Sequence, residues 1–149
     1  MLYIDTSILA AYYCPEPLSE AAEKYITASK QPAISQLTEV ELVSAVAKKV
    51  REKYLSQRDG LQIINAFQSH IDQKLFFRLP VEVKHYQIAK NWIALLYTPL
   101  RTLDALHLAV AASCQAEFIT ADSQLAKSAR KLGLKIKLMS ASTTSKTKL

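Results

Sequence analysis

Residues 118–138 read FITADSQLAKSARKLGLKIKL, and their reading decides the fold. Phe118-Ile119-Thr120 is a short aromatic and β-branched run, as a strand prefers. Asp122 follows at once, and residues 123–132 then carry apolar positions at helical spacing. Gly133 suits the left-handed residue that closes a helix, and residues 134–138 return to a strand pattern. Strand, helix and strand in direct succession predict parallel strands with the helix packed across them.

The same alternation runs outward to the N-terminus. Leu2-Tyr3-Ile4 is a strand candidate, followed by a helix over about 7–13 and a second over about 17–29 that has Pro17 in its first turn. Ala33-Ile34-Ser35 is the next strand candidate. A long helix over about 37–56 then spaces Leu37, Val40, Val43, Ala47, Val50 and Tyr54 as its apolar seam. Helices are expected over about 58–72 and 82–97, the latter stopped by Pro99, with a strand at LFFRL, 75–79, between them. Residues 102–114 are helical and apolar almost all round, which predicts burial on most faces. The expected fold class is therefore α/β, a central parallel sheet covered by helices on both faces. One domain over 1–139 accounts for the patterned chain. The remaining SASTTSKTKL, 140–149, is polar, basic and without periodicity, and is expected to be a mobile tail.

Composition narrows the function. The 149 residues carry 19 Lys plus Arg against 13 Asp plus Glu, a net charge of +6 that favours a polyanionic partner, nucleic acid first. Gly60 and Gly133 are the only glycines, so neither a phosphate-binding P-loop nor a G-x-G-x-x-G turn can be present. Two cysteines, Cys14 and Cys114, make no disulfide framework and no four-cysteine zinc site, which fits a reducing, cytoplasmic setting. No apolar run reaches the roughly eighteen residues of a membrane span, and the N-terminus lacks the basic start of a signal peptide.

Four acids stand out by position. Asp5 follows the first strand, Glu41 lies early in the helix after the second, Asp104 opens the apolar helix, and Asp122 follows the 118–120 strand. Strand C-termini of a parallel sheet share one edge, and ligands bind in the crevice outside it, so these acids are expected to converge. Each has a plainer role on its own. Asp5 and Asp122 suit helix N-caps, Thr38 with Glu41 matches a capping box, and Asp104 is favoured by the dipole of its helix. Together they repel, by about 4 kcal/mol for a pair 4 Å apart at an effective dielectric of 20. A divalent cation would relieve that repulsion, and oxygen-only ligands select Mg²⁺ or Mn²⁺. An open hard-ion site beside a basic surface suits phosphodiester hydrolysis.

The segments YIDTSILA (3–10), LTEVELVSAV (37–46), LRTLDALHLAVA (100–111) and FITADSQLAKSARKLGL (118–134) together resemble the PIN-domain family, most closely the VapC-like toxins of toxin–antitoxin pairs. The resemblance covers residues 1 to about 138 in the family's order. It implies a three-layer α/β/α sandwich and a Mg²⁺- or Mn²⁺-dependent endoribonuclease in the cytoplasm, held in check by an antitoxin protein, with a homodimer as the family expectation. It implies catalytic Asp5, Glu41, Asp104 and Asp122, with Asp5, Asp104 and Asp122 as metal ligands. Ser7 and Thr120 match the hydroxyls that flank the first and last acids. Glu41 is chosen over Glu39 because its neighbours match the family pattern; the two lie about 200° apart around a helix and cannot both face the site.

Other residues have weaker claims. Arg101 should border the crevice and bind a substrate phosphate, and Lys48, two turns beyond Glu41, is a second candidate. His107, one turn after Asp104, is placed to be a metal ligand or a proton carrier, but the favoured reading is a partly buried histidine with local hydrogen bonds, since a hard-ion site needs no imidazole. Lys48, Lys49, Arg51, Lys53 and Arg58 form a basic run suited to an RNA backbone or simply to solvent. Tyr12, Tyr13 and Trp92 suit base stacking, though aromatics at helical spacing are more often core. The alternative to a nuclease is a non-catalytic PIN-like module that binds RNA or protein. An aspartyl-phosphate phosphatase is disfavoured, because Ser7 stands where the second acid of D-x-D belongs.

Overall fold

The computed structural model describes residues 1–141. Beyond its first two residues, the tail expected over 140–149 lies outside the described residues. Five strands, β1 (Leu2–Ile4), β2 (Pro32–Ser35), β3 (Phe77–Leu79), β4 (Glu117–Thr120) and β5 (Ile136–Leu138), form one sheet in the order β3-β2-β1-β4-β5. Every pairing is parallel. The described helices are α1 (Thr6–Tyr13), α2 (Ser19–Ala28), α3 (Gln36–Arg51), α4 (Gln57–Asp72), α5 (Val83–Ile93), α6 (Thr102–Ser113) and α7 (Ser123–Lys131).

Strand alternation builds two cores. Ile4 and Ile119 face one side, where Ile8, Leu9, Ile26, Leu42, Phe67 and Ile71 of α1 to α4 cover them. Tyr3 and Phe118 face the other, under Ala89, Ala105, Leu108, Leu125 and Ala129 of α5 to α7. The result is the expected α/β/α sandwich. Burying each large aliphatic side chain stabilises it by roughly 1.5–3 kcal/mol. In α6, Ala105 to Ala111 are all buried, as its all-round apolar sequence requires. Gly60 lets α4 close on α3, since a Cβ there would lie 2.7 Å from Val50 Cγ2.

Three expectations need correction. The seam of α3 is Thr38, Leu42 and Val46, whereas Val40 is 70% and Tyr54 77% exposed. The true seam includes a polar residue that has a buried partner, so a count of apolar residues alone misplaces the face. Helix ends also differ. α3 stops at Arg51 because Lys53 turns left-handed at φ 62°, and α5 stops at Ile93, with Leu96 at φ 62°, well before Pro99. Pro17 lies in the turn before α2, not in its first turn. No helix among the described residues is long and apolar enough to cross a membrane.

The strand order places the site. From β1 the chain proceeds outward to β2 and β3, then returns through α5 and α6 to β4 on the other flank of β1. The switch in direction beside β1 opens a crevice at the strand C-termini.

Candidate active site

Asp5 ends β1. Its backbone N–H donates to Ile119 O at 3.0 Å, which ties it to the end of β4. The carboxylate is 7% exposed and accepts three bonds: Thr6 N–H to Oδ1 at 2.9 Å, and the Ser7 and Thr120 hydroxyls to Oδ2 at 2.8 and 2.7 Å. Both hydroxyls also accept, Ser7 Oγ from Ala121 N–H at 3.1 Å and Thr120 Oγ1 from Asp122 N–H at 3.0 Å. Asp122 Oδ1 in turn accepts from Gln124 and Leu125 N–H at 2.9 and 3.1 Å, capping α7. Asp5 and Asp122 are thus both helix N-caps, joined to each other through Thr120, while Ser7 ties Asp5 to Ala121.

Glu41 joins the same edge from α3. The first-turn capping role belongs to Thr38, whose Oγ1 accepts from Ser35 N–H at 3.2 Å, so Glu41 has no capping duty. It accepts instead from Thr6 Oγ1 at 3.3 Å and bonds to His107 Nε2. Glu39 turns away, paired with Arg78 through Nε and Nη2 at 2.5 and 3.1 Å. This bond and the Glu39 charge raise the Arg78 guanidinium further above its ordinary range.

His107 departs from expectation. It is 1% exposed, and its partners lie 66 and 104 residues away: Glu41 at Nε2, and Tyr3 Oη, 2.7 Å from Nδ1. Tyr3 Oη also lies 2.7 Å from Ser35 Oγ and 3.4 Å from Thr38 Oγ1. Burial raises the Tyr3 phenol to about 12; the bonds to Ser35 and Thr38 oppose the shift, and the charges of Asp5 and Glu41 add to it. Sequence reasoning assigned Tyr3 and Ser35 no role beyond their strands, and it paired Thr38 with Glu41 in a capping box where the structure pairs it with Ser35. The available signal was a tyrosine inside an otherwise aliphatic strand, where a buried hydroxyl needs partners.

Asp104 faces the crevice from the first turn of α6. Its Oδ2 accepts from Arg101 Nε at 3.2 Å, with Arg101 79% exposed and Asp104 23%. Burial raises the Asp104 carboxyl above the usual range; the Arg101 bond and charge oppose this, and the Asp5 charge adds to it. Arg101, Asp104 and Asp122 line one small cavity. Lys48 does not join them: its ammonium, 66% exposed, lies 3.9 Å from Glu52. Tyr12, Tyr13 and Trp92 pack against the two cores, and Tyr13 Oη lies 2.6 Å from His70 Nδ1, so they serve the core.

Each acid therefore has its own partner: Asp5 the flanking donors, Glu41 His107, Asp104 Arg101, and Asp122 the α7 N-terminus. The expected repulsion is met within the protein. Among the described residues no three His, Cys, Asp or Glu side chains stand close enough to hold one metal ion. The donor set is nonetheless oxygen-only, as hard ions prefer. Mg²⁺ commonly takes one or two carboxylates and keeps several waters, so the carboxylates of Asp5 and Asp104 suit such an ion by donor type.

Comparisons with known proteins agree with this architecture. No curated protein matches the chain in sequence. The structure is similar to FitAcB from Neisseria gonorrhoeae, at 18% identity and TM-score 0.67, covering 91% of this chain and 96% of that one. VapBC2 from Rickettsia felis, bound to a DNA fragment from its promoter, gives 16% identity and TM-score 0.66 over 94% and 100% of the two chains. VapC20 from Mycobacterium tuberculosis, a sarcin-ricin loop cleaving toxin, gives 14% identity and TM-score 0.65 over 85% and 94%. The PIN domain family model matches residues 2–131, nearly all of the described fold and every crevice acid. On that match, the chain belongs to the PIN-domain family.

Proposed function

We propose that this protein is a metal-dependent endoribonuclease and the toxin of a toxin–antitoxin pair. One observation carries the reading: Asp5, Glu41, Asp104 and Asp122, from four separate segments of a PIN fold, are anchored at the same C-terminal edge of the sheet. Asp5 and Asp104 would hold Mg²⁺ or Mn²⁺, with Asp122 lining the same small cavity as Asp104, and such an ion polarises a phosphoryl oxygen and activates a bound water. The chain supplies the rest. Ser7 and Thr120 fix the Asp5 carboxylate, Glu41 adds a carboxylate held by Thr6 and His107, and Arg101 offers an exposed guanidinium to a phosphate. The net charge of +6 supports an RNA partner. Val40 and Val43 stand exposed beside Ile64 in a groove between α3 and α4, apolar surface that supports an antitoxin partner. The similarity to a sarcin-ricin loop cleaving toxin, and to a toxin–antitoxin complex from Klebsiella pneumoniae at 22% identity and TM-score 0.54, points the same way. A homodimer belongs to this reading, and sedimentation measures it.

Purified protein with Mn²⁺ or Mg²⁺ should cleave RNA, and Asp5→Asn should lower cleavage at least 100-fold. Expression should arrest growth, and the product of the adjacent upstream reading frame should relieve the arrest. RNA left intact by the parent protein with either ion would refute the proposal. A second reading, a non-catalytic module, is favoured by the Arg101–Asp104 pair, which sets a guanidinium on one of the crevice carboxylates. Calorimetric titration separates the two, because only the nuclease should show Mn²⁺ affinity that Asp104→Asn removes.

A further inference from the structure

We propose that His107 is a positioning residue: its Nε2–H holds the Glu41 carboxylate toward the crevice, and Tyr3 holds the ring. What Glu41 then does rests on the nuclease reading; the hydrogen bond itself does not.

The donor inventory assigns the proton. An ionised Glu41 only accepts, so the His107 nitrogen facing it must carry hydrogen. A bare Nε2 would set two lone pairs against each other in a buried place. In the neutral ring Nδ1 then accepts, and the single Tyr3 hydroxyl hydrogen goes to it at 2.7 Å. Ser35 Oγ, 2.7 Å from Tyr3 Oη, donates into the phenol oxygen, completing a chain Ser35 to Tyr3 to His107 to Glu41. If the ring is protonated instead, Nδ1–H donates to Tyr3 and the tyrosine hydrogen turns to Ser35. Both arrangements keep the proton on Nε2, and the first alone gives the buried Ser35 hydroxyl hydrogen an acceptor among the described residues.

The surroundings make this hold stiff. Tyr3 is fully buried on the central strand and stacked on Phe118, with ring centroids 5.4 Å apart and 14° between planes. It meets His107 edge-on at 5.7 Å. His107 lies three residues after Asp104 on α6, so one helix both presents Asp104 and grips Glu41. The core does not call for an imidazole here, because every other residue from Ala105 to Ala111 is apolar. Glu41 itself is 30% exposed, and with an aliphatic residue at 107 it could turn to water.

The test has two arms. In the metal-free protein, nitrogen-15 NMR of the histidine rings should show His107 with a proton on Nε2, in slow exchange, and Glu41→Ala should speed that exchange at least tenfold. A ring protonated on Nδ1 alone, or exchange indifferent to Glu41→Ala, would overturn the proposal whether or not the protein cuts RNA. In the cleavage assay, His107→Leu should lower kcat roughly 10–100-fold with KM nearly unchanged, as loss of a buried orienting partner does. His107→Gln, which keeps a donor, should recover most of it, and Tyr3→Phe should fall between. The same His107→Leu change in a Glu41→Gln background should cost less than threefold. An equal loss in both backgrounds would show that His107 acts by folding alone and defeat the claim. Should His107→Leu not fold, Tyr3→Phe carries the same cycle. If the parent cuts no RNA, the nuclease reading fails and the NMR arm decides for His107 by itself.

Discussion

Thr120→Val tests the lock between β1 and β4. The side chain is fully buried, its hydroxyl donates to Asp5 Oδ2 at 2.7 Å, and its oxygen accepts from Asp122 N–H at 3.0 Å. Valine fills the same space and does neither. Losing a hydrogen bond to a carboxylate costs about 1.5–3 kcal/mol, and leaving the Asp122 N–H unpaired adds about 1–3 kcal/mol. The half-buried Asp122 amide is open to some water, which holds its share to the low end. Burying a methyl group in place of the hydroxyl returns about 0.8 kcal/mol. The net expectation is a loss of about 2–3 kcal/mol, or roughly 5–10 °C in Tm for a chain of this size. Urea unfolding of the metal-free protein should show a lower midpoint at unchanged slope. Thr120→Ser, which keeps the hydroxyl and loses a methyl, should cost only about 1 kcal/mol. Two results would refute the reasoning: Thr120→Val within 0.5 kcal/mol of the parent, or serine as damaging as valine.

Other perturbations separate charge, capping and backbone strain. Burial, then the Asp5 charge, raises the Asp104 carboxyl against the Arg101 pairing, so the folded state binds its proton more tightly than the unfolded chain. Its contribution to stability is therefore present below the unfolded pKa and lost as pH rises through the folded one. Asp104→Asn should remove that loss, leaving the metal-free variant no less stable than the parent in melts at pH 7 while RNA cleavage falls at least 100-fold. His85 runs the other way. Its Nδ1 accepts from Glu82 N–H at 2.8 Å, its buried Nε2 has no partner among the described residues, and burial, then the Lys84 charge, lowers its pKa. Its stability contribution is present above the unfolded value, about 6.5, and lost as pH falls toward the folded one. His85→Gln keeps an acceptor for Glu82 and should flatten the stability loss measured between pH 7 and pH 5. Leu96, 87% exposed at φ 62°, carries left-handed strain of about 1–2 kcal/mol. Leu96→Gly should raise urea stability by about 0.5–1 kcal/mol after the entropy that glycine gives the unfolded chain.

Layering and the crevice were legible in the sequence because both follow from order along the chain. Alternating strands and helices dictate a parallel sheet, and an acid after a strand must reach its C-terminal edge. Helix ends were less legible for a concrete reason. Gly133, at φ 75°, marks the end of α7, but Lys53, Lys74, Leu96 and Gln115 adopt φ between 53° and 62° at the ends of α3, α4, α5 and α6 without a glycine to announce it. The face of α3 was hidden likewise, because Thr38 is buried for its bonds to Ser35 and Tyr3. Within the site, the acids were visible as types at spacings, whereas the Tyr3–His107–Glu41 connection joins positions 3, 41 and 107 and has no local signature.

The crevice also changes how its charges are to be understood. From sequence, four carboxylates on one edge demand a cation among them. In the fold the demand is distributed: backbone and hydroxyl donors surround Asp5, an imidazole holds Glu41, a helix N-terminus holds Asp122, and a guanidinium covers Asp104. Three of these partners are built into strand ends, helix starts or the core. Arg101 is the exception, a long side chain 79% exposed to water, and exposed pairs of this kind are worth at most about 1 kcal/mol. Asp104, raised by burial and by Asp5, is thus the acid least relieved by its own partner and the one a hard cation would relieve most. A hard cation held at Asp104 would compete with this exposed guanidinium, which lines the same small cavity as Asp104 and Asp122. Arg101 and Asp104 are thus electrostatically coupled, so a substitution that removes either charge should be felt by the other.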